Sequence, residues 1–369
     1  MLPQDQHRLA VEILNAGDDA IAQRELIERA GLQQIAEQLI AEIAIRIVPW
    51  ADSITLNVGY TLGFEGQTVV LTGVYGSGGD PVAVSVSTSL TKLWTAVYGS
   101  EQLLTALDPS TMTGGDSAVA LLVSSLQKTP DLIELATRFD SDRWGLHYYS
   151  PHYQRMFEPL RESQINILEI GVGGGDSPES GGAGLRMWKH FFPKAQLCGI
   201  DIYDKSHLDE PRIRTFVGDQ TDGDFLDSVI AEIGPPDIII DDGSHVNAHV
   251  LQSFAHLFPK LRTGGLYVIE DLQTSYWPRF GGDSSDLSRT DTSVGFLKTL
   301  VDGIHYEELL LEEHSPSYVD RHIAGLHVFH NLAFIEKGDN AEGTLLDSFE
   351  GARELAASHD WAEDHLARK

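Results

Sequence analysis

The chain is poor in cysteine, in basic residues and in long apolar runs. Its 369 residues include a single cysteine, Cys198, so an intrachain disulfide is excluded. No apolar run reaches the roughly 20 residues that a membrane-spanning helix needs, and the first residues, MLPQDQHRLAVEILNAGDD, lack the layout of a signal peptide. These absences predict a soluble protein in a reducing, cytoplasmic setting, in which Cys198 is a small core residue.

The charge balance is strongly acidic. The chain has 26 Lys and Arg against 55 Asp and Glu, which gives a formal net charge of −29. Such a field repels phosphate backbones and anionic lipid, so neither nucleic acid nor a membrane surface is an expected partner. An apolar content of 42% is ordinary for a globular protein, and the length suits two domains.

The first part of the chain predicts a small α+β domain over residues 1–138. Apolar residues recur at helical spacing through the first 48 residues. After Pro49, three alternating β-branched runs, SITLNVGYTLGF, QTVVLTGVY and PVAVSVSTS, predict an antiparallel meander, and helices are expected near 93–97 and 118–126.

Residues 139–369 follow a different pattern, in which strands alternate with helices. Strands are predicted at 165–172, 196–202, 212–219, 236–243 and 264–271, with helices at 185–192, 225–233 and 246–258. This alternation implies right-handed crossovers and a doubly wound, mostly parallel sheet. Two later strand-like runs, 305–312 and 325–337, are expected to complete a sheet of seven strands.

A glycine-rich segment follows the first of these strands and predicts a nucleotide-type cofactor site. Gly171, Gly173 and Gly175 allow a tight turn and a close approach of the backbone to a ligand. Glu169 comes two residues before the first glycine. A carboxylate there suits the ammonium group of S-adenosylmethionine and repels a pyrophosphate, which favours this methyl donor over a dinucleotide.

Three more polar residues lie at the ends of the next two predicted strands. Asp201 suits the ribose hydroxyls of either cofactor, and Asp219 and Gln220 suit an adenine edge. Because ligands of open α/β sheets bind at the carboxyl ends of the strands, all these residues are expected in one cleft. The expected architecture is therefore a Rossmann-like class I S-adenosylmethionine-dependent methyltransferase fold.

Acidic pairs end the fourth and fifth strands of this region and predict a metal site. Asp241 and Asp242 end one strand, and Glu270 and Asp271 end its neighbour. Close carboxylates repel one another unless a cation lies between them, and oxygen ligands favour Mg²⁺, with Mn²⁺ or Ca²⁺ as rivals. Side chains alternate along a strand, so Asp241 and Asp242 are expected to point to opposite sides, and Asp242 is favoured as the ligand. Asp241 then supports the loop or contacts the cofactor.

His245, expected in the first turn of the following helix, is the candidate general base. A sugar hydroxyl is too weak an acid for a free imidazole, whose pKa is about 6.5, to deprotonate unaided. Coordination to a divalent cation lowers the pKa of a hydroxyl by several units, after which an imidazole removes the proton. This arrangement predicts methyl transfer to an oxygen.

Taken together, ILEIGVGGG, the GDQ at 218–220, DDGSHVNAHV and VIEDLQTSYW resemble the metal-dependent sugar O-methyltransferases of macrolide biosynthesis. The segment DRWGLHYYSPHY at 142–153 is also similar to that family. The resemblance implies that Asp242, Glu270 and Asp271 bind Mg²⁺ and that His245 is the base. It also implies a glycosylated acceptor, and a tetramer in which the N-terminal domain helps to build a neighbouring subunit's active site.

Some interpretations stay open at this point. Residues 272–293 are either a connector or a lid over the site, and Tyr148, Tyr149 and Trp277 are candidates for the acceptor pocket. The alternatives to a sugar O-methyltransferase are a catechol-type O-methyltransferase, an NAD-dependent sugar oxidoreductase and a non-catalytic protein that retains the fold.

Overall fold

The computed structural model describes residues 54–61, 68–75, 82–89, 130–177, 179–310 and 315–357. The chain divides into two compact units. The first comprises residues 1–165, 181–197 and 206–214, and the second comprises residues 166–180, 198–205 and 215–369.

The first unit contains a three-stranded antiparallel sheet. Its strands are β1 (Ile54–Thr61), β2 (Thr68–Tyr75) and β3 (Val82–Ser89), in that order. Thr61 is opposite Thr68, and Tyr75 is opposite Val82, so the strands follow one another as hairpins. The predicted meander is confirmed. The helices predicted within 1–48, 93–97 and 118–126 lie outside the described residues.

Aromatic residues form a core among the described helices of the first unit. These helices are α1 (Leu132–Phe139), α2 (Ser150–Phe157) and α3 (Ala183–Phe191). The Trp188 ring lies 4.9 Å from Tyr153 and 5.5 Å from Phe157, measured between ring centroids. Because all three side chains are fully buried, they supply a large part of the apolar area that holds α2 against α3.

Seven strands form the larger sheet, as the sequence predicted. They are β4 (Asn166–Ile170), β5 (Gln196–Asp201), β6 (Ile213–Val217), β7 (Ile238–Asp241), β8 (Leu266–Ile269), β9 (Ile323–Phe329) and β10 (Leu332–Lys337). Their order is β6-β5-β4-β7-β8-β10-β9. β7 is parallel to both β4 and β8, whereas β10 is antiparallel to β8 and β9. The chain changes direction across the sheet at β4 and β7, which is where open α/β sheets bind their ligands.

The helices of the second unit complete the layers around these strands. They are α4 (Gly223–Ile233), α5 (Asn247–Leu257), α6 (Ser293–Ile304), α7 (Tyr318–His322) and α8 (Ala352–Ala357). Ile239, Phe254 and Tyr267 lie in the core between sheet and helices, and Cys198 lies there too with 3% of its surface exposed. Within the described residues, no helix has the length and apolar character needed to cross a bilayer.

One predicted strand is wrong. Residues 305–310, the described part of the run 305–312, contain a 3-10 turn at Tyr306–Glu308 and no strand. Both final strands come instead from residues 323–337, which fold back at His330 and Asn331. Asn331 has a φ of 62°, which asparagine tolerates better than most residues. The His-Asn pair inside GLHVFHNLAFIEK is the turn signal that separates the two strands.

Candidate active site

The segments that follow β4 and β7 lie against each other. Gly171 has a φ of 80°, and a Cβ added there would lie 2.2 Å from the carbonyl oxygen of Asp242. The Asp242 amide donates to the Ile170 carbonyl at 2.9 Å. Only glycine permits this approach, so the residue that begins the cofactor segment also sets the position of a candidate metal ligand.

The predicted donor-binding residues around β4 and β5 are brought together. Gly171, Gly173 and Gly175 all have positive φ, and Glu169 lies on β4 with 1% of its surface exposed. Asp201 Oδ2 accepts from the Val172 amide at 3.1 Å. Its Oδ1 accepts from the Tyr203 amide at 2.9 Å. A carboxylate has about four acceptor positions, so Asp201 retains capacity for ribose hydroxyls.

Asp219 and Gln220 take different positions. Asp219 is exposed, and hydrogen bonds from the amide and hydroxyl of Thr221, both at 2.8 Å, lower the pKa of its carboxyl group. Gln220 is buried. Its Nε2 donates to Ser253 Oγ at 3.0 Å, and its Oε1 accepts from the backbone amide of Ser244 at 2.8 Å. Gln220 therefore supports the turn after β7, while Asp219 faces solvent.

Asp241 lies in the interior beneath this turn. It is 1% exposed, and its carboxylate accepts from Gln220 Nε2 at 3.3 Å and from the Tyr267 hydroxyl at 3.4 Å. Burial raises the pKa of the Asp241 carboxyl group to about 7, and the charge of Glu270 adds to this rise. Of the two roles that the sequence left open for Asp241, this position is that of a residue supporting the loop.

Asp242, His245 and Asp271 form a group that suits a metal ion. Each offers one ligand atom, these atoms all lie within 4.8 Å of one another, and all three residues are half-buried. His245 Nε2 is 3.4 Å from Asp271 Oδ2. Two carboxylates so close together repel one another unless a cation or the imidazole compensates their charge, and their oxygens are ligands of the kind that Mg²⁺ prefers. The two carboxylates therefore fit a divalent cation, with the imidazole of His245 beside them.

Glu270, the third predicted ligand, is outside this group. It is 4% exposed, its amide donates to the Asp241 carbonyl at 3.0 Å, and its charge acts on the Asp241 carboxyl group. The structure thus brings together Asp242 and Asp271 with the predicted base, and holds Glu270 beside them in the interior.

His245 and Asp271 both have left-handed backbones, with φ of 57° and 55°. The prediction that His245 lies in the first helical turn is wrong, because α5 begins at Asn247. Non-glycine residues in this conformation cost on the order of 1 kcal/mol each and are frequent at functional sites. The left-handed turn points the imidazole at Asp271 rather than along the helix.

Sequence reasoning missed Asn247, a residue that shapes the surroundings of the site. It is 1% exposed and uses both ends of its amide. Its partners, all in the segment after Asp271, are the carbonyls of Thr274 (3.2 Å) and Phe280 (2.9 Å), the Ser275 hydroxyl (3.3 Å) and the Ser293 amide (2.7 Å). Residues 272–293 include 3-10 turns at Leu272–Tyr276 and Pro278–Phe280, and Asn247 fixes them to the start of α5. An asparagine two residues after the candidate base is the only signal the sequence offers.

The candidate acceptor residues are divided between the two units. Tyr148 and Tyr149 belong to the first unit. Tyr148 is 65% exposed, whereas Tyr149 is 2% exposed and stacks on His147 with 4.7 Å between ring centroids. Trp277 belongs to the second unit, between the two 3-10 turns that follow Asp271, and is 49% exposed.

A seven-stranded sheet in this order, with its last two strands as an antiparallel hairpin, is the fold of class I S-adenosylmethionine-dependent methyltransferases. The glycine segment after β4 and the acidic residues after β7 and β8 lie at the edge where that class binds its ligands. No family model matches the chain.

Individual proteins match it well. The chain is 38% identical to a solved structure of MycE methyltransferase from the mycinamycin biosynthetic pathway, in complex with Mg and SAH. That match covers 95% of this chain and 98% of MycE, with a TM-score of 0.79. A further MycE structure, with Mg, SAH and mycinamycin VI, has a TM-score of 0.77 at 39% identity, and covers 95% of this chain and 99% of MycE.

Curated relatives agree with this match. Mycinamicin VI 2''-O-methyltransferase of Micromonospora griseorubida is 51% identical over 257 residues, 69% of this chain and 64% of the relative. Demethylmacrocin O-methyltransferase of Streptomyces fradiae is 51% identical over 241 residues, 65% of this chain and 61% of the relative. The aligned regions thus span less than two thirds of the curated relatives. The chain belongs to the family of O-methyltransferases that contains MycE.

Proposed function

We propose that this protein is an S-adenosylmethionine- and Mg²⁺-dependent O-methyltransferase that methylates a hydroxyl of a deoxysugar on a glycosylated secondary metabolite, such as a macrolide or another polyketide antibiotic. The observation that carries the proposal is the group formed by Asp242, His245 and Asp271, whose ligand atoms lie within 4.8 Å of one another next to the glycine segment. Family membership supports it, because MycE has been solved with Mg, SAH and mycinamycin VI.

Each group of residues has a role in this proposal. Glu169 accepts from the ammonium of the donor, Asp201 from its ribose, and Asp219 from its adenine, while the glycines let the backbone approach it. Asp242 and Asp271 hold the cation, and Glu270 is the third predicted ligand. Gln220 and Asp241 hold the turn that carries Asp242.

The methyl transfer itself requires one proton acceptor. A cation held by Asp242 and Asp271 would lower the pKa of the acceptor hydroxyl and fix its position. His245 Nε2 takes the proton from that hydroxyl, the freed oxygen attacks the methyl carbon, and the bond from that carbon to the sulfonium breaks to leave a neutral thioether. Asp271, 3.4 Å from His245 Nε2, stabilises the protonated imidazole.

A His245→Ala variant tests the base, and His256→Ala is its matched control. His256 also contacts a carboxylate, Asp227 at 2.8 Å, but at the other end of α5. We expect His245→Ala to lower kcat by about a hundredfold or more while SAH still binds, and His256→Ala to keep wild-type turnover. Full activity of His245→Ala would exclude His245 as the base.

The metal is tested by chelation. Turnover, followed by mass spectrometry as the gain of one methyl group by the acceptor, is expected to stop in EDTA and to return with Mg²⁺. Undiminished turnover in EDTA would refute the cation's role, whatever the acceptor.

The acceptor class is tested by competition. A glycosylated polyketide and a simple catechol offer similar pairs of oxygens to the cation, so both are supplied in one reaction with S-adenosylmethionine. Preferential methylation of the glycoside supports the proposal, whereas preferential methylation of the catechol supports the catechol-type alternative. A thermal shift with NAD and none with SAH would favour the oxidoreductase instead.

The assembly is part of the proposal as well. The family resemblance supports a tetramer in which residues 1–138 of one subunit contribute to the active site of another. Light scattering of the full chain tests the subunit number. Mixing a His245→Ala chain with a chain lacking residues 1–138 tests the shared site, because only mixed tetramers would then regain activity.

A further inference from the structure

Lys205 makes three hydrogen bonds to the glycine-rich segment. It lies four residues after Asp201, and 1% of its surface is exposed. Its ammonium group donates to three backbone carbonyls, those of Gly175 at 2.7 Å, Ser177 at 3.0 Å and Ser180 at 3.2 Å. An ammonium group has three hydrogens, so each of them has a carbonyl acceptor.

The segment that Lys205 holds has little regular structure of its own. Gly171, Gly173, Gly174 and Gly175 all have positive φ, and the described residues from 171 to 182 contain no helix or strand. Glycine loses more backbone freedom on ordering than any other residue. Hydrogen bonds within the segment include those from the Ser177 amide to the Gly174 carbonyl (3.2 Å) and from the Ser180 amide to the Ser177 carbonyl (3.4 Å), and the Lys205 contacts add three more.

The last residue of β5 and the residues just after it therefore hold this segment at two points. Asp201 accepts from the Val172 amide at the start of the segment. Lys205 binds its later carbonyls from Gly175 to Ser180. Because β5 ends at Asp201, one short stretch of chain fixes both the ribose-binding carboxylate and the glycine backbone.

We propose that Lys205 is a positioning residue for the methyl donor, which it serves by holding the glycine-rich segment in its binding conformation before the donor arrives. The proposal rests on the proposed function, because it takes S-adenosylmethionine as the ligand of this segment. Lys205 acts through the carbonyls that it fixes and not through contact with the donor.

The chain offers a matched control in Lys337. It is 4% exposed, and its ammonium group also donates to three carbonyls, those of Phe258 (3.0 Å), Pro259 (2.9 Å) and Leu261 (2.7 Å). Lys337 ends β10 next to the first residue of β8, Leu266, whereas the candidate site lies beyond the last residue of β8. Both lysines are thus buried and donate to three carbonyls, at opposite ends of the strands, and Lys337 also lies 5.5 Å from the Phe258 ring and 5.4 Å from the Tyr318 ring.

The experiment compares Lys205→Met with Lys337→Met in the full chain. Both variants are expected to lower the midpoint of thermal unfolding, because each leaves three backbone carbonyls without their hydrogen-bond donor. Calorimetric titration with SAH is expected to show a Kd raised about tenfold or more in Lys205→Met, since re-ordering even one residue costs about that factor. In Lys337→Met the Kd is expected to stay near the wild-type value.

Kinetics give a second, independent readout. Lys205→Met is expected to raise KM for S-adenosylmethionine while kcat at saturating donor stays near wild type, because the bound segment regains its conformation. An unchanged SAH Kd in Lys205→Met, or an equal rise in both variants, would overturn the proposal. Absence of SAH binding by the wild-type protein would instead overturn the proposed function on which it rests.

Hydrogen exchange covers the case in which Lys205→Met does not fold. In the wild-type protein without donor, the amides of residues 171–182 are expected to exchange slowly, as in a segment already held in place. If they exchange at the rate of an open chain until SAH is added, the segment is ordered by its ligand and Lys205 has no positioning role.

Discussion

Gly171→Ala is expected to disturb both the glycine-rich segment after β4 and the group formed by Asp242, His245 and Asp271. A Cβ at this position would lie 2.2 Å from the Asp242 carbonyl oxygen, 2.8 Å from its carbonyl carbon and 2.8 Å from Gly243 Cα. All three atoms are backbone, so no side chain can rotate to make room. The substitution therefore forces the two strand ends apart.

The magnitude follows from two contributions. Alanine with a φ near 80° costs on the order of 1 kcal/mol, and overpacking adds about 1–3 kcal/mol. Gly173→Ala is the matched control, because Gly173 has a φ of 74° and no atom of the described residues lies within 4 Å of an added Cβ, so this variant carries the first cost alone. The difference of about 1–3 kcal/mol corresponds to a gap in the unfolding midpoint of roughly 1–4 °C for a chain of 369 residues.

Two measurements check this expectation. Thermal unfolding in EDTA without SAH compares the stabilities, and calorimetric titration with Mg²⁺ compares the metal sites. We expect Gly171→Ala to unfold at the lower temperature and to bind Mg²⁺ more weakly than Gly173→Ala. Equal midpoints and equal Mg²⁺ affinities would refute the close approach as the reason for a glycine at 171.

Three further predictions concern single side chains. Because the folded pKa of Asp241 is raised to about 7, the folded state holds a proton that the unfolded state releases near pH 4, and metal-free wild-type protein is expected to lose stability as pH rises from about 4 to about 7. Asp241→Asn lacks this carboxyl group and is expected to lose less stability over the same pH range. If denaturant titrations gave parallel pH profiles of the unfolding free energy for the two proteins, the raised pKa of Asp241 would be contradicted. Asn247→Leu leaves buried hydrogen-bond partners at both ends of residues 274–293 unsatisfied. It is expected to lower the free energy of unfolding by about 2 kcal/mol or more and to make this segment accessible to limited proteolysis. An unchanged cleavage pattern would argue against Asn247 as the residue that fixes the segment to α5. Asp227→Asn removes an exposed pair of contacts to His256 and Lys260 and is expected to leave the unfolding midpoint unchanged, so that a clear drop would show that exposed ion pairs matter more here than assumed.

The sheet was largely predictable because its strands carry the burial pattern in their own sequence. Ile238, Ile239 and Ile240 are fully buried on a central strand, and such a continuous apolar run indicates a strand covered on both faces. Residues 305–310, the described part of the predicted run 305–312, hold no position in the sheet, where the hairpin of β9 and β10 provides the last two strands. Edge strands depend on turn geometry, which the His-Asn pair at 330–331 decides.

The candidate site was predictable only as far as strand ends determine it. The acidic residues after β7 and β8 were expected at one edge because parallel strands end together, and Asp242 and Asp271 do lie in one group. The left-handed backbone of His245, the interior position of Gln220 and the four contacts of Asn247 depend on three-dimensional neighbours. No periodicity in the sequence reports such contacts.

The positive φ angles of His245 and Asp271 have a consequence for attempts to stabilise this protein. At both positions a glycine would relax the main chain, so a screen that selects for heat resistance alone would enrich the substitutions that remove the imidazole and the carboxylate. Selection for tolerance to heat and selection for turnover therefore pull in opposite directions at these two positions, and a thermostable catalyst has to gain its stability elsewhere in the chain.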